Sequence, residues 1–98
     1  MDYKLIWSPD ALDDIKAIRN YISRDSEFYA ESTVFKIYEG PQNLVNLHKQ
    51  GRVVPEVGDE DIWELFVFQY RIIYEINVKK FIFLSVLHGK RLLDKDQI

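Results

Sequence analysis

Apolar residues follow two regimes along this 98-residue chain. In the first half they recur at helical spacing, and from Ile62 to His88 they run almost without a polar break. Tyr3 to Trp7 alternates, with Tyr3, Leu5 and Trp7 on one face, which predicts a first strand. Ser8-Pro9-Asp10 then predicts a helix start: a serine cap, a proline at the first helical position and an acid in the first turn. Leu12, Ile15, Ile18 and Ile22 mark one face of a helix that runs to Ser23. Asp25 and Ser26 are the next candidate caps. A second stripe follows through Ala30, Val34, Ile37, Pro41, Leu44 and Leu47 or His48. Gly40-Pro41 interrupts it, because a mid-helix proline costs about 3 kcal/mol and frees a carbonyl one turn back. The spacing predicts a kink or break there, then a segment to Lys49 closed by Gly51. Together the two patterns make an αα-hairpin.

Arg52 to Asp61 holds Pro55 and Gly58 among acids and reads as a connecting loop. Three apolar runs follow: IWELFVF, YRIIYEI and the run ending in FIFLSVLH. Breaks this short join antiparallel neighbours. The expected order is β-α-α-β-β-β in a single domain, residues 1–98. An antiparallel sheet carrying a helical hairpin on one face is an α+β fold. Both faces of the late strands are apolar: Trp63, Leu65 and Val67 oppose Ile62, Phe66 and Phe68, while Phe81, Phe83 and Leu87 oppose Ile82, Leu84 and Val86. A sheet covered by helices on one side alternates apolar with polar. Something else is therefore expected on the second face, either a self-contact or a partner.

Composition narrows the function classes. Apolar residues are 47% and charged residues 30%, as in a globular domain. There is no cysteine, which excludes disulfides, thiolate metal sites and a cysteine nucleophile. No signal peptide opens MDYKLIWSPD, and no apolar run reaches the length that spans a bilayer, so a cytoplasmic protein with no membrane partner is expected. A net charge of −3 argues against indiscriminate nucleic-acid binding. The charge is uneven. Five acids and no base lie between Glu56 and Glu64, whereas Lys79 to Ile98 carries five bases and two acids, a net of +3. The basic end permits a local anionic contact. No glycine-rich phosphate loop and no acidic metal-ligand spacing occurs, and His48 and His88 stand far apart with no motif around them. No cofactor and no metal are expected.

Two polar marks remain. Arg71 sits inside the apolar strand Tyr70-Arg71-Ile72-Ile73-Tyr74, and His88-Gly89-Lys90-Arg91 closes the last strand. With the opening YKLIWSPDALDDI, two helical patterns and the GRVVPE link, these residues give the chain, over nearly its whole length, a resemblance to the RelE/ParE superfamily of type II toxin–antitoxin toxins. The resemblance implies the α+β fold above and a small antitoxin that wraps the toxin in a hetero-oligomer.

The resemblance also assigns candidate roles. Arg71 matches a phosphate-binding arginine of RelE-like ribonucleases, since a guanidinium grips two phosphate oxygens at once. Its structural alternative is an ion pair with Glu75 or Glu64 across the sheet. Arg91 matches a basic residue that would stabilise charge on a scissile phosphate, or it is a solvated strand-end charge. His88 would be a substitute acid or base, or a packed turn residue. Against the ribonuclease branch, Glu64 stands where a lysine is wanted, and Trp63 stands where many relatives have arginine. The chain ends LLDKDQI, without the tyrosine or His-Tyr pair of that branch. The general acid–base equipment for cutting RNA is thus missing.

The resemblance then points to the ParE-like, plasmid-stabilisation branch, which is not nucleolytic. That branch inhibits DNA gyrase by protein contact and arrests growth. Target contacts are expected at the helical hairpin and around Lys90 and Arg91. The alternatives are a ribosome-dependent mRNA endonuclease using Arg71, Arg91 and His88, or an inactive binding module that keeps the toxin fold.

Overall fold

The structure, a computed structural model, describes residues 3–45 and 51–90. The first strand, β1, is Lys4–Trp7. Ser8 caps the helix that follows: its Oγ accepts from the Ala11 amide at 3.1 Å and donates to the Leu84 carbonyl at 3.3 Å, joining the helix start to the last strand. This helix, α1, is Pro9–Ser23. Ser26 caps α2, Glu27–Glu39, by accepting from the Tyr29 amide at 3.1 Å. At Gly40-Pro41 the α-helix gives way to a 3-10 helix, Gly40–Val45, where the sequence predicts a break. Leu47, His48 and Lys49 lie outside the described residues. Arg19 ties the hairpin together, pairing with Glu31 and, at 3.4 Å, with Glu27.

The remaining strands are β2 (Arg52–Val53), β3 (Ile62–Val67), β4 (Tyr70–Asn77) and β5 (Lys80–His88). The sheet order is β1-β5-β4-β3-β2. The antiparallel meander β3-β4-β5 is as the sequence predicts. Two features differ. The GRVVPE link is not all loop, since Arg52 and Val53 pair with Glu64 and Trp63 as a short edge strand. The two residues of β2 are too few to show any alternation. And β1 joins the sheet in parallel, with Lys4 opposite Lys80 and Trp7 opposite Phe83. Parallel partners need a long crossover, which the helical hairpin supplies.

The main core lies between this hairpin and the sheet. Phe83 stacks on Trp7 at 4.3 Å and tilts against Tyr74 at 5.9 Å; Phe81 stacks on Tyr3 at 5.1 Å. The α2 stripe is as predicted, with Ala30, Ile37, Pro41 and Leu44 buried. The α1 stripe differs from the prediction at its first position, where Ala11 is buried and Leu12 exposed, while Ile15 is buried and Ile18 packs on the core as predicted. A bulge alters β5. Tyr74 pairs with Phe83 but Ile73 pairs with Ser85, leaving Leu84 as the extra residue. Strict alternation places Leu87 with Phe81 and Phe83; the bulge instead turns Val86 to the helix side and Leu87 to the second face. On that face Ile62, Ile73 and Leu87 are covered by Val54 and Val57. The second face is thus covered, in this region, by a self-contact. Among the described residues no helix is long and apolar enough to cross a membrane.

Tyr74 makes this core sensitive to alkali. Burial pushes its hydroxyl up to about 12, and the adjacent Gly51 backbone offsets part of that rise. Burial also raises Tyr70, helped by neighbouring Tyr21. An unfolded tyrosine titrates near 10. The folded state therefore holds the proton more tightly, so this contribution is complete below about pH 10 and is lost as pH rises toward 12. Urea midpoints for the parent chain are expected to fall between about pH 9 and about pH 11, and Tyr74→Phe is expected to flatten that fall.

Candidate functional site

Arg71, the sharpest sequence candidate, is buried at the centre of the second face, opposite Phe66 on β3 and Leu87 on β5. Two carboxylates grip it. Its Nε donates to Glu64 at 2.8 Å, and its Nη1 and Nη2 donate to the two oxygens of Glu56 at 2.8 and 3.1 Å. Glu64 is in turn paired with Arg52, whose guanidinium lies 5.8 Å from the Phe66 ring centre. The hydrogen bonds of Glu56, then those of Glu64, hold Arg71 above its already high ordinary value, while burial pulls the other way. Among the described residues, two guanidinium groups and two carboxylates meet here with their charges balanced. The pairing with Glu64 is one of the two partners considered from strand parity; Glu75 is not bonded to Arg71 in this network. Sequence reasoning missed Arg52 and Glu56, which reach Arg71 and Glu64 from an unrecognised strand and a loop.

His88 is exposed and pairs in register with Tyr70, meeting its ring edge-on at 6.1 Å. Tyr70 belongs to the main core on the helix side. Arg71 and Leu87, one position along, face the other way. The sheet therefore separates His88 from Arg71 rather than bringing them into one site. His88 Nδ1 accepts from the Lys90 amide at 3.2 Å, which makes it a turn residue. Gly89 donates to the Gln69 carbonyl at 2.6 Å, so close that an added Cβ would lie 2.9 Å from that oxygen. This contact pins His88-Gly89-Lys90 to the β3–β4 turn and leaves Lys90 exposed. Arg91 lies outside the described residues.

A third feature was not anticipated. Because β1 stops at Trp7, the edge of β5 beyond Phe83 has no strand beside it among the described residues and runs along α1. Asp14 on α1 caps part of it, accepting from Ser85 Oγ at 3.0 Å and from the Val86 amide at 2.9 Å. Further along, Ala17, Ile18 and Tyr21 of α1 face Tyr70, Val86 and His88 across a groove of about 390 Å³. The only sequence signal is Asp14 itself, an acid between two core positions of the helix.

A short helical hairpin laid over one face of a mostly antiparallel five-stranded sheet is the architecture of small toxins from toxin–antitoxin systems. The chain superimposes with a TM-score of 0.74 on a protein of the chromosomal ParDE system of P. aeruginosa, at 20% identity over 90% of this chain and 97% of that one. It superimposes with a TM-score of 0.60 on the YoeB dimer of Staphylococcus aureus, at 14% identity over 87% and 94% of the two chains. A chain of the heterotetrameric YoeB–YefM toxin–antitoxin complex from that organism gives 0.55, at 14% identity over 87% and 94%. At these identities the likeness establishes the fold. No curated protein matches the chain in sequence at a significant level. Residues 5–93 match the family model of the ParE toxin of the type II toxin–antitoxin system parDE, and the chain belongs to that family.

Proposed function

We propose that this ParE-family toxin inhibits DNA gyrase by protein–protein contact, cuts no nucleic acid, and is neutralised by a cognate antitoxin. The observation that carries the non-nucleolytic reading is the grip of Glu56 and Glu64 on Arg71. A guanidinium whose donors are engaged by two carboxylates offers little to a phosphodiester. His88, on the opposite side of the sheet, adds no acid or base to it. Placement in the ParE family supports the gyrase branch over the ribosomal one. The target-facing surface in this reading is the exposed Lys90 with Arg91 beyond it, together with the helical hairpin, where Phe28, Tyr29 and Phe35 are exposed.

The antitoxin in this reading lies along the groove between α1 and β5. Part of the second sheet face is already taken by residues 54–61, so the helix groove is favoured of the two places an antitoxin segment would fit. The YoeB–YefM complex, a toxin held by its antitoxin on the same fold, supports a hetero-oligomer of this kind. A cytoplasmic site of action and a part in plasmid stabilisation go with the same reading.

The test uses purified chain, gyrase and supercoiled plasmid, with and without ATP. Accumulation of linear, gyrase-linked DNA is expected, and Lys90→Ala is expected to weaken it. If gyrase is unaffected at a large excess of the chain, the gyrase reading fails. Ribosome-bound mRNA is then the next substrate, and cleavage there would overturn the non-nucleolytic reading as well.

A further inference from the structure

The cover on the second sheet face is itself unusual in how it is held. Residues 54–61 leave the edge strand β2, cross Ile62, Ile73 and Leu87, and return as β3. Val54 and Val57 pack beneath this segment, and Pro55, Gly58, Asp59, Glu60 and Asp61 are exposed above it. Its apolar contacts form a small cluster separate from the main core, on the opposite side of the sheet. Much of its backbone bonding is to its own ends: the Val54 amide donates to the Ile62 carbonyl at 3.0 Å and the Ile62 amide to the Asp59 carbonyl at 3.1 Å, while at its far end the Asp61 carbonyl accepts from the Ile76 amide at 3.0 Å and the Glu60 carbonyl from Trp63 Nε1 at 2.8 Å. Gly58, at φ 71°, supplies the left-handed residue that such a tight return requires.

The polar tie is asymmetric. The side chains of Arg71 and Glu64 are 5% and 0% exposed, so both are fixed in the sheet, whereas Glu56 is 22% exposed and rides on the segment. If Glu56 leaves, Arg71 keeps Glu64 and Glu64 keeps Arg52, so no buried charge is stranded without a partner. A segment with a small apolar contact and many exposed polar residues, held to the sheet through Glu56, belongs to the low-stability end of a domain.

We propose that residues 54–61 form a strap that opens as a unit, and that the Glu56–Arg71 pair is its latch. Closed, the strap masks Ile62, Ile73, Leu87 and Arg71. Open, it joins them to Phe66, which is already exposed beside Arg71, and to the partly exposed Leu84. The second face then presents an apolar strip with the Arg71–Glu64 pair at its centre. The main core is untouched, because every residue that the strap covers points away from it.

Hydrogen exchange on the intact chain tests this. Glu56→Gln keeps the size and shape of the side chain but removes the charge from a bidentate pair. It is expected to speed exchange of the Val54, Gly58 and Ile62 amides roughly 10-fold or more, the scale of a charge-assisted hydrogen bond, with the Ile72 and Phe83 amides unchanged. Unchanged strap amides would show that the valines alone hold the strap and would overturn the latch. Equal acceleration of strap and core amides would overturn the strap as a separate unit. If Glu56→Gln does not fold, the parent chain is measured in graded low denaturant. Strap amides are then expected to exchange by an opening with much weaker denaturant dependence than core amides, and a common dependence would sink the proposal.

Discussion

Replacing Arg71 with methionine is expected to cost the domain about 3–5 kcal/mol, because it removes the buried cation of an ion network and leaves buried Glu64 facing only the solvent-exposed Arg52 among the described residues. Glu64 is fully buried and keeps only Arg52 within the network, and Glu56 loses both of its bonds to the guanidinium. Small domains are stable by roughly 5–15 kcal/mol, so a loss of this size takes a large share of the folding free energy. Urea denaturation of R71M, E64Q and the double variant separates the causes. If stranded charge is the cost, R71M/E64Q is more stable than the sum of the single losses predicts, by about 0.5–3 kcal/mol. Strict additivity would show that Arg71 and Glu64 do not act as a pair. Arg71→Lys keeps the charge but not the planar fork, and it is expected to recover only part of the loss. The same variants also bear on function. In the gyrase reading Arg71 serves the fold, so inhibition by R71M falls only in step with its folded fraction. A ribonuclease reading instead requires that activity disappear even from the folded fraction.

Phe83→Ala is expected to be as damaging, at about 3–5 kcal/mol, by another mechanism. Phe83 is fully buried where three elements meet: it stacks on Trp7 of β1, tilts against Tyr74 of β4 and lies beneath the helical hairpin. Its neighbours are rigid rings fixed by the ladder on either side, so the cavity left behind cannot collapse. Phe83→Leu fills most of the space and is expected to lose less than half as much. Thermal melts of the two variants check this, and a small effect of Phe83→Ala would mean that the site repacks.

Much of this architecture is legible in the sequence because it rests on local chemistry. Ser8 and Ser26 cap the helices for which they are suited, Gly40-Pro41 ends α2, and the three late strands form a meander because their connections are too short for anything else. What could not be read depends on register. Alternation along Phe81 to His88 assigns faces correctly as far as Leu84; the single extra residue there then exchanges the faces of Val86 and Leu87, and no periodicity announces it. The candidate site shows the same limit. Parity puts Glu64 on the face of Arg71, but Glu56 arrives from a loop and Arg52 from a two-residue strand, and neither has a pattern. That His88 and Arg71 lie on opposite sides of the sheet also follows from the pairing of Tyr70 with His88, which only the fold specifies.

The parallel pairing of β1 with β5 has a consequence for when this molecule exists at all. Lys4 waits for Lys80, 76 positions later by subtraction, before the sheet can close. At about 5–20 residues per second, that delay during synthesis is on the order of 4–15 s. For that interval the first strand has been made but has no neighbour, and the helical hairpin has no sheet to lie on. A ribosome that stalls before β5 therefore releases a chain with an unfinished core, and the cell meets a folded toxin only after the last strand has been translated.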